Sequence, residues 1–386
     1  MRRWIAGLVA AWGLGAFAVG DPTVVVLSWD GVRHDYPDRG DFPGLARLER
    51  DGVRARLVGV YPSNTFPSHV SLATGTYPDT HGIVDNMFFD DRERYDVADA
   101  DWIEAEPVWI STQRQGIDVA TYFWVGSESD WRGQGTRYRV APFDGRRREA
   151  VKVDRILTWF DLPAGERPQL VMSYWAGADT VGHERGPDHP AVVRQLESQD
   201  AQLRRLLAGL DERDAWPATT LILVSDHGMA AVGGLIHVER ILDAAGVEAF
   251  AIGGAVARVY LDERGDLDKA EAALSDVDNL RVYRPDALPA EFRLAWPGRN
   301  GDLLVTTVQP FVLTERYARL AGTHGYDPRT PDMQAAFFAM GRGVDTGADV
   351  EEVRHIDLAA TIAALLGVEP PAQSEGAPMG WVRLLE

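Results

Sequence analysis

Thr65 lies in the stretch that says most about this chain, YPSNTFPSHVSLATGTYPDTHGIVDN (61–86). The stretch reads as a strand end, a turn and then a helix that begins at Thr65 and Phe66. A hydroxyl at a helix N-terminus lies beside free backbone N–H groups and the positive end of the helix dipole. A phosphate can be held there while an oxygen attacks it. Further on, ADTVGHERGP (178–187) sets Asp179 and His183 four apart, on one side of a helical turn. SDHGM (225–229) puts Asp226 and His227 together on a sharp turn. GTHGYD (322–327) sets His324 among small residues that let backbone and cation approach. Asp30 closes TVVVLSWDG (23–31). Mixed carboxylate and imidazole sets suit Zn2+ or another divalent transition metal. With one hydroxyl, these three aspartates and three histidines make two sites of the kind used in two-metal phosphoryl transfer. Each cluster alone has a plainer reading, since an Asp after a strand is most often a helix cap and the His-Gly segments can be simple turns.

Strands must position these residues. TVVVLSWDG reads as a buried parallel strand delivering Asp30 at its carboxyl end. A helix at about 43–51 and a strand at about 53–60 follow, and the Thr65 helix runs to about 74. IDVATYFW (117–124), QLVMSYW (169–175) and TTLILVSDHG (219–228) read as further strands. AVKVDRILTWF (150–160), the segment 190–210 and HIDLAATIAALLG (355–367), stopped by Gly367, read as helices. This alternation predicts an α/β fold, a mostly parallel central sheet with helices on both faces. Ligands collect at the carboxyl ends of such strands, and Asp30, Thr65, Asp179 and Asp226 all fall there. Residues from about 231 to 320 carry shorter elements, such as AVARVYL (255–261) and DLLVTTV (302–308). They read as an inserted smaller subdomain or an edge extension of the sheet.

The 386 residues, 45% hydrophobic and 25% charged, have an ordinary globular composition. Residues 1–20, MRRWIAGLVAAWGLGAFAVG, differ. Arg2 and Arg3, an apolar run and small residues before a cleavage point after Gly20 read as a secretory signal peptide, leaving 21–386 as the catalytic domain. No later segment is long and apolar enough to cross a membrane, so no stable membrane insertion is expected after cleavage. The absence of Cys rules out disulfides, and a periplasmic or secreted location without redox chemistry is expected. A net charge of −19 without a basic stripe argues against nucleic-acid polymers as partners. Bound divalent cations would offset carboxylates locally, so a small phosphate ester, a nucleotide included, remains compatible. The arginines at 146–148 read as a solvated helix start.

In order and spacing, VVVLSWDG, YPSNTFPSHVSLATGTYPDTHGIVDN, KVDRILTWFDLP, DTVGHERGP, SDHGM and GTHGYD resemble the nucleotide pyrophosphatase/phosphodiesterase family of the alkaline phosphatase superfamily, from residue 24 to about 355. The resemblance implies an alkaline phosphatase-like fold with Thr65 as nucleophile. It implies two zinc ions per chain, one held by Asp30, Asp226 and His227 beside Thr65, the other by Asp179, His183 and His324. Asn86 matches the family asparagine that hydrogen-bonds a non-bridging phosphate oxygen. Phe66 and Tyr174 match positions that sandwich a nucleotide base in relatives, with core packing as the alternative for Tyr174. Nucleotide-acting relatives often carry two glutamates and a proline where this chain has Ala176, Gly177 and Ala178, which bears on the substrate-side wall rather than on the metals. The paired cysteines of animal secreted members are absent. His69, on the Thr65 helix, is expected just behind the ligands. His34, His81, His189, His237 and His355 read as surface or packing residues.

On this reading the Thr65 oxygen attacks phosphorus in line with the leaving oxygen. Asn86 and the Phe66 backbone N–H hold the other oxygens, and water hydrolyses the phospho-threonyl intermediate. The expected activity is that of a two-zinc phosphodiesterase or nucleotide pyrophosphatase. A phosphomonoesterase or phosphonate hydrolase on the same core is the nearest rival. A monoesterase needs extra positive charge, and Lys152 is expected on the outer face of its helix. A threonine rather than Cys or Ser at the nucleophile position argues against a sulfatase. A secreted metal- or ligand-binding protein without turnover is the reading from another class.

Overall fold

The computed structural model describes residues 21–90 and 93–383. The segment read as a signal peptide therefore lies outside the described residues. The chain opens with β1 (Thr23–Trp29), buried along its whole length. Val24 and Val26 join the core on one face with Leu72 and Ile362. Val25, Leu27 and Trp29 join the core on the other with Leu48, Ile156 and Leu203. Because successive strand residues point to opposite faces and both faces are covered, the apolar run is unbroken.

Next come α1 (Pro43–Arg50), β2 (Gly52–Val58) and α2 (Thr65–Thr74), which stops at Gly75 in the left-handed conformation, φ 70°. They are followed by β3 (Val119–Tyr122), β4 (Tyr138–Val140), α3 (Glu149–Phe160) and β5 (Leu170–Trp175). α4 (Asp179–Arg185), α5 (Pro190–Asp211) and β6 (Thr219–Val224) complete the first part. The middle of the chain holds α6 (Val238–Ala244), β7 (Ala249–Gly253), β8 (Val256–Leu261), α7 (Leu267–Ser275), β9 (Leu280–Tyr283) and β10 (Leu303–Thr307). β11 (Ala335–Gly341), β12 (Glu352–Arg354) and α8 (Asp357–Leu366) close the fold.

The main sheet has eight strands in the order β12–β2–β11–β6–β1–β5–β3–β4. Only β11 runs antiparallel to its neighbours. α2 and α8 lie in the core of one face, α1, α3 and α5 in that of the other. Trp29 pairs with Trp175 and Ser28 with Val224, so β1, β5 and β6 end level. The middle strands form a separate antiparallel sheet, β7–β8–β10–β9. Its own core includes Val238, Leu242, Val259, Leu274 and Leu303. The chain leaves for and returns from this second sheet through a short ribbon in which Ala230 pairs with Thr323 and Ala231 with Gly322. That ribbon brings the segment after Thr323 back to the end of β6. Among the described residues no helix is long and apolar enough to cross a membrane.

Candidate active site

Asp30 leaves β1 over the loop that precedes α4. The backbone N–H groups of Ala178 and Asp179 both donate to the Asp30 carbonyl, at 2.8 and 3.2 Å. Glycine makes this approach possible. Gly177 has φ +56°, and a Cβ there would sit 1.8 Å from the Asp30 carbonyl oxygen. Gly31 has φ +67°, with its Cβ position 2.8 Å from the Asp179 Cα. Gly177 thus sets the distance between two candidate ligands. Gly177→Ala should lower Tm, because the left-handed backbone alone costs about 1–2 kcal/mol and the contact with Asp30 adds to it. An unchanged Tm and metal affinity would show that the loop can move away from Asp30 freely.

The three histidines share one arrangement. Nδ1 of His183 donates to the Gly322 carbonyl (2.8 Å), Nδ1 of His227 to Gly228 (2.9 Å) and Nδ1 of His324 to Ser63 (3.0 Å). A carbonyl can only accept, so each Nδ1 carries the proton, and in the neutral ring each Nε2 presents a lone pair. Those lone pairs face carboxylate oxygens. His183 Nε2 is 3.2 Å and His324 Nε2 3.6 Å from Asp179 Oδ1. His227 Nε2 is 3.3 Å from Asp226 Oδ2 and 3.5 Å from Asp30 Oδ1. The same three oxygens, Asp30 Oδ1, Asp179 Oδ1 and Asp226 Oδ2, are buried without a hydrogen-bond donor. Acceptors turned toward acceptors in a buried space are the arrangement a cation resolves. Ligand atoms of Asp179, His183 and His324 lie together, as do those of Asp30, Asp179 and His227, so Asp179 touches both groups. Asp226 is held by its other oxygen, which accepts from the N–H groups of Gly31 (3.0 Å) and His227 (3.1 Å). The residues present therefore fit a metal centre.

Without cations, this space is electrostatically strained. Burial, then the charges of Asp226 and Asp179, push the Asp30 carboxyl well above its ordinary range, although the Tyr174 hydroxyl opposes them. Burial also acts on Asp179, but His183, His324 and His227 outweigh it and hold that carboxyl low. Burial and the two neighbouring imidazoles push His324 well down.

Thr65 Oγ1 lies 3.2 Å from His227 Nε2, at the first residue of α2. Asn86 Oδ1 accepts from the Phe66 backbone N–H at 2.7 Å. This corrects the expectation that the Phe66 N–H faces substrate, since it is engaged in orienting Asn86. The Phe66 ring is partly buried, edge-on to Tyr95, and lines a cavity of about 420 Å³ with Asn86, Met87, Arg94 and Tyr95. His69 sits behind the site. One ring nitrogen meets the Thr65 carbonyl (2.8 Å) and the other the Ser28 hydroxyl (2.7 Å), and burial pushes the imidazole pKa below its ordinary value. His81 and His355 are buried.

Two further expectations are corrected. Tyr174 does not offer an open stacking face. Its hydroxyl donates to Asp30 Oδ2 at 2.6 Å and its ring packs edge-on against His69 and Phe143. The position is one residue before the end of β5, which aims the side chain across to β1. The exposed aromatic here is Phe143, 49% accessible, which sequence reasoning passed over because nothing in its loop is periodic. Tyr174→Phe should lower metal affinity about tenfold, since partners that orient a ligand matter at that scale. Competition with a chromogenic chelator reads it, and an unchanged constant would remove the hydroxyl from the site. Lys152, expected on the outer face of its helix, is buried. Its Nζ donates to the Tyr174 carbonyl (2.8 Å) and lies 3.4 Å from Glu149. Lys152, Ile156, Trp159 and Phe160 are all buried, the i, i+4, i+7, i+8 stripe that faces the sheet.

The family described as Type I phosphodiesterase / nucleotide pyrophosphatase matches residues 24–327. An uncharacterized pyrophosphatase/phosphodiesterase of Schizosaccharomyces pombe is 32% identical over 347 residues, covering 83% of this chain and 71% of that protein. A venom phosphodiesterase of Naja atra is 30% identical over 90% of this chain, which spans only 44% of that relative's length. Murine ectonucleotide pyrophosphatase/phosphodiesterase 5, solved as an inactive threonine-to-alanine variant in complex with AMP, has a TM-score of 0.85 at 26% identity, covering 91% of this chain and 96% of that one. The human protein of that name has a TM-score of 0.86 at 26% identity, covering 93% and 98%. The fold is alkaline phosphatase-like. This chain belongs to the type I phosphodiesterase/nucleotide pyrophosphatase family.

Proposed function

We propose that this chain is a two-zinc phosphodiesterase or nucleotide pyrophosphatase that cleaves phosphate diesters or phosphoanhydrides through a phospho-threonyl intermediate at Thr65. One observation carries the reading. The Thr65 hydroxyl stands at the start of α2, 3.2 Å from a His227 lone pair that also faces the unpartnered oxygens of Asp30 and Asp226. Asp30, Asp226 and His227 would hold one cation and Asp179, His183 and His324 the other. Zn2+ bound there lowers the pKa of the Thr65 hydroxyl and offsets charge on the leaving oxygen.

The chain's own residues do the rest. The N-terminus of α2 favours the phosphate charge. The Thr65 oxygen gives up its proton and bonds to phosphorus as the ester or anhydride oxygen departs with its electron pair and takes up a proton from water. Water then attacks the same phosphorus and Thr65 leaves as the hydroxyl. Asn86, its Oδ1 fixed by Phe66 N–H, turns its amide N–H groups toward a non-bridging oxygen. Phe66 and the exposed Phe143 offer aromatic faces for a base, and Arg94 brings positive charge to the cavity beside Asn86. Lys152, tied to Tyr174 and Glu149, is withdrawn from the phosphate, which favours a diester over a monoester. The AMP complex of the murine relative supports a nucleotide substrate. The leader-like first residues and the venom enzymes among the relatives support a periplasmic or secreted location.

The test is an assay of the zinc-loaded protein on a nucleoside 5′-monophosphate aryl diester, a simple aryl diester and an aryl monoester. Preference for the nucleotide diester, lost with chelator, is expected. Preference for the monoester would move the protein to the phosphatase branch.

A further inference from the structure

Arg258 lies on β8 of the second sheet, yet its guanidinium is completely buried and faces the catalytic core. Nη1 is paired with the Asp85 carboxylate. Nη2 donates to the Val84 carbonyl (2.7 Å) and lies 3.3 Å from Asn300 Oδ1, and Nε donates to the Arg299 carbonyl (3.2 Å). Asp85 is itself 4% exposed. Its Oδ1 accepts from the Asn64 side-chain amide and from the Asn86 backbone N–H, both at 2.7 Å. From there two branches run to the site. Asn64 Oδ1 accepts from His324 Nδ1 at 2.9 Å, and Asn86 Oδ1 accepts from Phe66 N–H at 2.7 Å.

Two features mark this as more than packing. Asn64 occupies the N-cap of α2, where an asparagine ordinarily bonds its own helix, yet it makes no such bond. Its side chain is instead held between Asp85 and His324, which leaves the helix start open. The chain after His324 is also cut back for it. Gly325 has φ +96°, and a Cβ there would lie 2.7 Å from Asn64 Oδ1. A buried ion pair is moreover a weak source of net stability, because desolvation offsets much of its attraction.

We propose that Arg258 is a positioning residue. Through Asp85 it holds Asn64 and Asn86, so that His324 presents Nε2 toward Asp179 and Asn86 presents its amide toward phosphate. The second sheet is thereby coupled to the catalytic centre. The role of Asn86 rests on the proposed function, whereas that of His324 rests on the metal-ligand geometry alone.

Arg258→Met, Arg258→Lys and the double variant Arg258→Met with Asp85→Leu test it. Arg258→Met alone strands a buried carboxylate and risks misfolding. The double variant removes both partners and should recover most of the stability. The readouts are Tm, Zn2+ affinity by chelator competition, the 15N shifts of His324 in metal-free histidine-labelled protein, and the kcat and KM of diester cleavage at saturating Zn2+. The double variant should fold with a near-native Tm, yet bind Zn2+ about 10–100-fold more weakly at the His324 site, as for other partners that orient ligands. It should also shift the 15N signals of His324, whose Nδ1–H then keeps only the Ser63 carbonyl as a fixed acceptor, and lose kcat more than KM, with Arg258→Lys partly restoring each. Native His324 15N shifts together with native Zn2+ affinity in a folded double variant would overturn the proposal. Wild-type protein without turnover would instead refute the proposed function, and the His324 15N shifts and Zn2+ affinity would still decide the positioning role.

Discussion

Thr65→Ala is expected to lower kcat on an aryl diester by about a thousandfold or more, because in the proposed mechanism the hydroxyl forms the bond to phosphorus. Zn2+ content should stay at the wild-type level. Asp30, Asp226 and His227 keep their mutual distances without Thr65, and Asp226 is anchored by two backbone N–H groups. Binding of a nucleoside monophosphate should change little, since the start of α2 and Asn86 remain. The signature is thus a loss in kcat with preserved ligand affinity, read by steady-state kinetics and calorimetry side by side. Thr65→Ser, which keeps the hydroxyl, should retain part of the turnover. Full turnover in Thr65→Ala would sink the nucleophile assignment, and loss of Zn2+ with turnover would make Thr65 a metal-organising residue instead.

Metal removal should abolish turnover and also lower Tm. Three carboxylate oxygens lie buried here without donors, facing imidazole lone pairs. A cation that binds only the folded state stabilises it by about 4 kcal/mol at a thousand times its dissociation constant. The pH dependence follows from Asp30. Its carboxyl is raised in the metal-free fold by burial and by Asp226 and Asp179. The metal-free chain is therefore destabilised as pH rises above the ordinary carboxylate range toward the raised folded value. Acidification relieves this by protonating Asp30, and a cation relieves it at neutral pH. His183 acts in the same direction. Burial lowers it, but Asp179 raises it further, so a proton there also competes with metal. The gain in Tm on adding Zn2+ should accordingly shrink when pH is lowered from about 7.5 to about 5.5. A gain that is constant or grows on acidification would mean that these groups do not bind the cation.

The chemistry-bearing residues were legible because their signals are local. The hydroxyl before a helix, Asp30 after a β-branched run, Asp179 and His183 four apart and the Asp226-His227 turn each span a few residues. The parallel sheet followed from strands alternating with helices, and level strand ends gathered the residues those strands release. Other parts were hidden. β11 is a run of alanine, phenylalanine and methionine buried on both faces, without a period to mark it, and it is the one strand set antiparallel in the main sheet. Lys152 was misjudged by its charge although its spacing placed it on the buried stripe.

Residue types and short spacings determined which groups could take part: the nucleophile candidate, the ligand candidates and the sheet that carries them. Tertiary structure decided which atoms face which. It turned Tyr174 onto Asp30, fixed the proton of His324 on Nδ1 through Ser63 and Asn64, and drove Arg258 of the second sheet against Asp85. Periodicity and turn chemistry act over a few residues of one chain segment. These contacts join segments far apart in the chain, and only the sheet register, the glycine-permitted approach of loops and the burial of charge set them.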